Sequence, residues 1–117
     1  MSVERGREGE ALAERFLTKK GWNILERNWR ASGAEVDIIG RDGETLVFVE
    51  VKARASKSFG GGAAAVGTAK QKKIVRASLG YMRKVPHNGP VRFDVVAIDG
   101  EVVNHIPAAF RAEGYTR

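Results

Sequence analysis

The sequence predicts an α/β protein whose elements follow the order α-β-β-β-α-β-β. Two segments repeat apolar residues with the spacing of a helix, and five others are short apolar or alternating stretches typical of strands. An Asp-Gly dipeptide separates two of those stretches, as in a β-hairpin. At 117 residues the chain is long enough for one hydrophobic core and too short for two ordinary ones, so we expect a single domain spanning residues 1–117.

The first predicted helix covers residues 7–21, REGEALAERFLTKKG. Gly21 suits its C-terminal cap. Small and apolar residues share one seam of this helix: Gly6, Gly9, Ala13 and Phe16, with Leu12 and Leu17 beside them. We therefore expect the helix to approach a sheet closely through its small residues.

Three strands are predicted to follow this helix. Residues 22–30, WNILERNWR, form the first, and residues 34–53, AEVDIIGRDGETLVFVEVKA, form two more that are joined at Asp42-Gly43. The register of such a two-residue turn pairs Arg41 with Glu44, Asp37 with Phe48 and Glu35 with Glu50. Asp37 then lies diagonal to Glu50, close enough for both carboxylates to reach one ion.

A glycine-rich loop at residues 54–67, RASKSFGGGAAAVG, leads to the second predicted helix, Thr68 to Lys84. A strand at residues 91–99, VRFDVVAID, is followed by a turn at Gly100 and a last strand, EVVNHIP. The glycines before the second helix imitate a phosphate-binding loop. No lysine stands between Gly67 and Thr68 to reach a phosphate, however, so we reject nucleotide binding there.

Composition limits the kinds of functional site and binding partner that the protein can have. The absence of cysteine excludes disulfides, thiolate zinc sites and a cysteine nucleophile, and only His87 and His105 remain as imidazoles. A formal net charge of +6 favours a polyanionic partner such as nucleic acid. No apolar run approaches the length of a membrane span, and the first ten residues lack the apolar core of a signal peptide, so we expect a cytoplasmic protein with no membrane partner.

The stretch VFVEVKAR, residues 47–54, places Glu50 and Lys52 on one face of a strand. The predicted register adds two acids to that face, Glu35 and Asp37. We expect the opposite face to be buried through Val36, Ile38, Val47, Val49 and Val51. The simplest alternative is a solvated ion pair between Glu50 and Lys52 on a half-exposed sheet. Three neighbouring acids repel one another, however, and this tension favours a bound cation.

This set of side chains suits metal-assisted hydrolysis of a phosphodiester. Mg²⁺ takes only one or two protein carboxylates and keeps several waters, so Asp37 and Glu50 suffice as ligands, together with a backbone carbonyl such as that of Val51. Mn²⁺ would serve equally. Lys52 would orient or deprotonate the attacking water, or stabilise the charge that develops on the phosphate.

The pair Val36-Asp37, followed by Glu50-Val51-Lys52 on the next strand, resembles the PD-(D/E)XK nuclease superfamily. The ordered motifs GREGE, GAEVDIIGRDG, VFVEVKAR, KQKKI and RFDVVAI together resemble the bacterial YraN-like family of proposed endonucleases, akin to archaeal Holliday junction resolvases. The match runs from Gly6 to about Ile98, with Val36 where the superfamily's name has proline. The resemblance implies a restriction-endonuclease-like fold, an α-β-β-β-α-β core with a mixed sheet flanked by helices.

The resemblance also implies supporting roles for Glu10 and Gln71. Glu10 borders the close-packing face of the first helix, and its alternative is a solvated glutamate. Gln71 lies on the apolar seam of the second helix, where its alternative is a hydrogen bond to a backbone group. We interpret Asp94 as a strand-edge or structural carboxylate and His105 as an ordinary strand residue. The basic face of the second helix favours a solvated surface over a DNA contact: Lys72, Lys73, Arg76, Arg83 and Lys84.

We therefore expect a magnesium- or manganese-dependent endonuclease that acts on DNA, with branched or junction DNA as one option. Asp37 and Glu50 are its expected metal ligands, Lys52 its catalytic lysine, and Glu10 and Gln71 its supporting groups. The rival hypothesis is a nuclease-like module that binds nucleic acid without cutting it. A third, a basic structural or interaction protein, explains the charge but not Glu50 and Lys52. A homodimer that cuts two strands is left open.

Overall fold

A computed structural model describes residues 2–54 and 66–112 of the chain. Its elements are α1 (Ser2–Lys19), β1 (Asn23–Ala31), β2 (Ala34–Asp42), β3 (Thr45–Arg54), α2 (Thr68–Lys84), β4 (Val91–Asp99) and β5 (Val102–Phe110). The predicted order is confirmed. The first helix begins earlier, and the last strand ends later, than the sequence indicated. Most of the glycine-rich loop, residues 55–65, lies outside the described residues.

The five strands form one sheet in the order β1-β2-β3-β4-β5. The chain runs through three antiparallel strands, crosses over by way of α2, and adds β4 parallel to β3; β5 then returns antiparallel to β4. The predicted mixed sheet and its α-β-β-β-α-β core are confirmed. Neither described helix is long and apolar enough to cross a membrane.

Both faces of the sheet are buried. On one face, Phe48 of β3 packs with Ile74 and Tyr81 of α2. On the other, Val47 of the same strand packs with Leu17 of α1. Phe48, Val47 and Leu17 are each fully buried. A strand covered on both faces is apolar at nearly every position, which explains why β3 is a continuous apolar run up to Glu50.

The expected hairpin register is wrong by two residues. The central residues of the turn are Gly43 and Glu44, because Asp42 pairs with Thr45, and Arg41 consequently pairs with Leu46 rather than Glu44. Gly43 has a φ of +63° and Glu44 has no positive φ, as in a type II′ turn with glycine at its first central position. The prediction had placed this glycine second, as a type I′ turn would require.

The expected buried face is confirmed for Ile38, Val47 and Val49, which lie in the cluster under α1 with Val51 packed against it, and is wrong for Val36. Val36 lies in the apolar cluster under α2, whereas Ile38, two residues along the same strand, lies in the cluster under α1. Strict alternation would put both on one side. The break coincides with Asn28 of the neighbouring strand, which has a φ of +52° and lies between the ladder pairs Arg27↔Ile38 and Trp29↔Val36. A local distortion of the ladder therefore turns β2 at Asp37.

Asp94 is a structural carboxylate, but it does not lie at a sheet edge. It is fully buried on β4, between β3 and β5, and accepts hydrogen bonds from Arg92, His105 and the Ala108 backbone N–H. Burial alone would raise the pKa of Asp94, but these donors outweigh it and hold the pKa below its usual range. His105 is thus part of a buried network that ties β5 to β4.

Candidate functional site

The candidate site lies where the β2–β3 ladder ends. Ile38↔Val49 is the last pair of that ladder at this end. Beyond it, the Asp37 carboxylate accepts the Val51 N–H at 2.8 Å, where a continuing antiparallel ladder would use a backbone carbonyl. The side chain of Asp37 is therefore fixed against the backbone of β3, directly beside Glu50 and not diagonal to it as the predicted register required.

The two carboxyls of Asp37 and Glu50 destabilise each other's ionised forms. Burial, followed by the negative charge of Glu50, raises the pKa of Asp37 to about 8. Glu50 is 8% exposed, and its burial raises its pKa as well, against the opposing effects of Lys70, a hydrogen bond to Asp37 and the charge of Lys52. The nearby positive charges are therefore too few to offset the cost of ionising both carboxyls.

Lys52 lies on β3 two residues after Glu50 and is half-buried. Its charge lowers the pKa of Glu50, so the two side chains interact as the alternation of the strand predicted. The structure brings Asp37, Glu50 and Lys52 together around one end of β3.

Helix α1 brings Glu10 to the edge of this site. Glu10 and Glu35 both raise the pKa of Asp37 through their negative charges. Asn28 bridges the two glutamates: its Nδ2 donates to Glu10 Oε1 at 3.0 Å and to Glu35 Oε2 at 3.1 Å. Asp37 and Glu10 also line one side of a pocket of about 240 Å³ between α1 and β2. Glu10 is therefore held near the acid pair by a hydrogen bond.

Asn28 is a site residue that sequence reasoning missed. Its left-handed φ of +52° is tolerated by asparagine far better than by branched or bulky residues. The available signal was an asparagine in the middle of a predicted strand, where this residue type is unusual.

Gln71 takes the alternative that the sequence left open. Its Nε2 donates to the Val66 carbonyl at 2.8 Å, so the amide is hydrogen-bonded to the backbone that precedes α2. The residue before it, Lys70, was not singled out, yet its Nζ lies 3.4 Å from Glu50 Oε2. Lys70 is the first residue of the KQKKI motif, and the available signal was the position of this motif at the start of α2, the end of the helix that faces the site.

No three histidine, aspartate or glutamate side chains are arranged to hold one metal ion within residues 2–54 and 66–112. Glu35, the third acid of the predicted face, is instead bound by Asn28 and lies 3.6 Å from the Arg30 guanidinium. The carboxylates available for a cation at this site are therefore Asp37 and Glu50.

The fold and the site define an α/β protein with two acids and a lysine gathered where neighbouring strands part. The chain belongs to UPF0102, the uncharacterised protein family also described as YraN-like: the profile of that family matches residues 9–98.

Curated relatives match nearly the whole chain. A UPF0102 protein of Anaeromyxobacter dehalogenans is 47% identical over 116 residues, covering 93% of this chain and 85% of the relative. A second, from Thermodesulfovibrio yellowstonii, is 44% identical over 108 residues, covering 92% and 96%. A third, from a Janthinobacterium strain, is 43% identical over 107 residues, covering 92% and 87%. Each is named only as a UPF0102 protein.

Proposed function

We propose that this protein is a metal-dependent endonuclease that hydrolyses phosphodiester bonds in DNA. The observation that carries the proposal is the placement of Asp37 beside Glu50, both desolvated and both with raised pKa values. Such an arrangement costs stability when the acids ionise, and a structural role does not require it. Lys52, on β3 with Glu50, adds the cation expected of a phosphodiester-cleaving site.

The donor set fits Mg²⁺ or Mn²⁺. Both ions prefer oxygen ligands, and Mg²⁺ takes one or two carboxylates while keeping several waters. Asp37 and Glu50 would hold the ion, with the backbone of Val51 as the expected third contribution. When bound, a divalent ion supplies positive charge that stabilises the extra negative charge formed at phosphorus. The repulsion between two ionised acids is what this charge would relieve.

The remaining roles belong to side chains around the acid pair. Lys52 would place its ammonium against the scissile phosphate or the attacking water. Glu10, held by Asn28, would accept a hydrogen bond from a water molecule near Asp37. Gln71 would support the site through the start of α2, since its Nε2 is already committed to the Val66 carbonyl.

DNA is the proposed partner because the chain carries 20 Lys and Arg residues against 14 Asp and Glu. Branched or junction DNA is the substrate form that the family resemblance favours, and a homodimer would allow two strands to be cut.

The alternative function, a module that binds nucleic acid without cutting it, is favoured by the contact between Lys70 and Glu50. That contact gives Glu50 a cationic partner within the chain itself. The two functions differ in one measurable respect, since only the nuclease releases shorter DNA products.

Cleavage should be measured on a panel of linear, nicked, flapped and four-way-junction DNA in Mg²⁺ and in Mn²⁺. We expect wild-type protein to cut at least one of these, and Glu50→Gln to lose about a hundredfold or more in rate. Glu44→Gln, an exposed acid in the β2–β3 turn, is the matched control and should cut like wild type. DNA binding without cleavage under every condition would favour the binding module.

A further inference from the structure

A second groove opens next to the acid pair, on the side of α2. It has a volume of about 450 Å³ and is lined by Arg30, Gly33, Ala34, Glu35, Lys70 and Lys73. Three of these residues are cationic and one is anionic, so the lining is net positive. The groove lies between the β1–β2 turn and the first turns of α2, and Lys70 belongs both to the groove and to the contact with Glu50.

The lone acid of this groove already has partners. Glu35 accepts a hydrogen bond from Asn28 and lies 3.6 Å from Arg30. Lys73 is exposed on the first turns of α2, next to Lys70 in the groove wall. A phosphate entering the groove would therefore meet Arg30, Lys70 and Lys73 from two sides, with the charge of Glu35 partly neutralised.

The contact between Lys70 and Glu50 is loose. The ammonium lies 3.4 Å from Glu50 Oε2, beyond the 2.7–2.9 Å typical of a good charge-assisted hydrogen bond. The Lys70 side chain is 52% exposed, whereas that of Glu50 is 10% exposed. A long, largely solvated lysine can exchange one anion for another at little cost, because four rotatable bonds separate its ammonium from the backbone.

We propose that this groove binds a backbone phosphate of the nucleic acid, and that Lys70 leaves Glu50 to contact that phosphate. The proposal rests on the function proposed above and adds a phosphate subsite to it. In the free protein Lys70 occupies the position of a cation at Glu50. Once a phosphate draws it away, Glu50 is released to bind the divalent ion. Nucleic-acid binding and metal binding are thereby coupled through one side chain.

This coupling predicts effects of opposite sign in a single variant. Lys70→Met removes a phosphate contact, so it should weaken DNA binding. The same change removes the cation that competes for Glu50, so it should strengthen metal binding in the absence of DNA. Lys73→Met removes a charge from the same groove but no partner of Glu50, and should weaken DNA binding alone.

DNA affinity should be measured by fluorescence anisotropy with a labelled four-way junction in EDTA, and Mn²⁺ affinity by calorimetry without DNA. We expect Lys70→Met to bind DNA about threefold or more weakly and Mn²⁺ about fivefold or more tightly, at the low end of couplings between linked sites. Lys19→Met, which loses a charge at the end of α1 on the other side of the sheet, should match wild type in both. Melting temperatures and a Lys70→Gln variant check that each change leaves the fold intact.

Unchanged or weaker Mn²⁺ binding in both Lys70 variants would overturn the exchange, and DNA affinity equal to that of Lys19→Met would overturn the phosphate subsite. Either result is compatible with the proposed nuclease function if wild type cuts DNA and Glu50→Gln does not. Mn²⁺ binding that survives in Glu50→Ala would overturn both proposals.

Discussion

At the scale of single residues, Asp37 carries the strongest functional signal among the residues that the structure describes. Its carboxylate accepts a backbone hydrogen bond from Val51, yet burial and three neighbouring acids outweigh this stabilisation of the anion. With a pKa of about 8, Asp37 is mostly protonated at neutral pH when no cation is bound. We expect a site of this kind to respond both to pH and to divalent ions.

The first prediction concerns the pH dependence of stability in EDTA. The folded-state pKa of Asp37, about 8, lies above the ordinary value of 3.8. The contribution of Asp37 to the free energy of unfolding is therefore fully present below pH 3.8 and is lost as pH rises through about 8. Asp37→Asn keeps an oxygen to accept the Val51 N–H and cannot ionise. Urea unfolding should show the variant gaining up to about 4 kcal/mol over wild type between pH 5 and pH 9, since each pH unit between 5 and the raised pKa costs wild type about 1.4 kcal/mol.

Glu44→Gln serves as the control for this experiment, because the exposed acid should leave the pH profile of wild type unchanged. Parallel stability curves for wild type and Asp37→Asn would show that Asp37 ionises normally in the folded protein.

At the scale of elements, the approach of α1 to β3 positions the acids. Gly9 is buried, and a Cβ at this residue would lie 2.8 Å from the Ala53 Cβ. The helix can come this close only because the residue has no side chain. Glu10 follows directly on the helix, and Lys52 precedes Ala53 on the strand, so this contact sets the distance between α1 and the site.

The second prediction tests this contact. Gly9→Val should force α1 away from β3 and lower the free energy of unfolding by about 1–3 kcal/mol, since overpacking outweighs the few tenths gained in helix propensity. Adding Ala53→Gly removes the opposing Cβ and should recover part of the loss in chemical denaturation. Glu8→Val, on the exposed side of α1, should change stability by less than about 0.5 kcal/mol. Equal losses in Gly9→Val with and without Ala53→Gly would rule out this contact as the cause.

Much at this scale could be predicted from sequence, because periodicity determines which segments are helices and strands. The close-packing seam at Gly9 follows from the helical spacing of small residues in the sequence. The hairpin register could not be predicted in this way. An Asp-Gly dipeptide fits a type I′ turn with glycine at the second central position, and it also fits a type II′ turn in which glycine is the first central residue. The break in alternation at Asp37 depends on a partner strand, through Asn28, and no local pattern in β2 encodes it.

At the scale of the whole molecule, two helices on opposite faces of one sheet leave the end of the β2–β3 ladder as the place where polar groups gather. Sequence indicated Asp37, Glu50 and Lys52 because two of them lie on one strand and the third on its hairpin neighbour. Asn28 and Lys70 come from β1 and α2, so only the tertiary structure brings them to the site. The positive charge of the chain and the basic groove beside Glu50 would complement the polyanionic substrate that we propose.

We propose that Asp37, Glu50 and Lys52 together form a site for cleaving DNA, and Lys52→Met separates cleavage by this site from DNA binding. This change keeps much of the packing of the side-chain stem and removes one charge among 20 Lys and Arg residues. Catalysis should therefore suffer far more than binding. Lys19→Met, with the same loss of charge at a distance from the site, is the matched control.

The measurement is the single-turnover rate of cleavage in Mg²⁺ or Mn²⁺ at saturating protein, with DNA affinity measured separately in Ca²⁺. We expect Lys52→Met to lower the rate by about a hundredfold or more and to change affinity only slightly, while Lys19→Met matches wild type. An unchanged rate in Lys52→Met would remove this lysine from the mechanism, and wild-type protein that cuts no DNA in either metal would rule out the proposed nuclease.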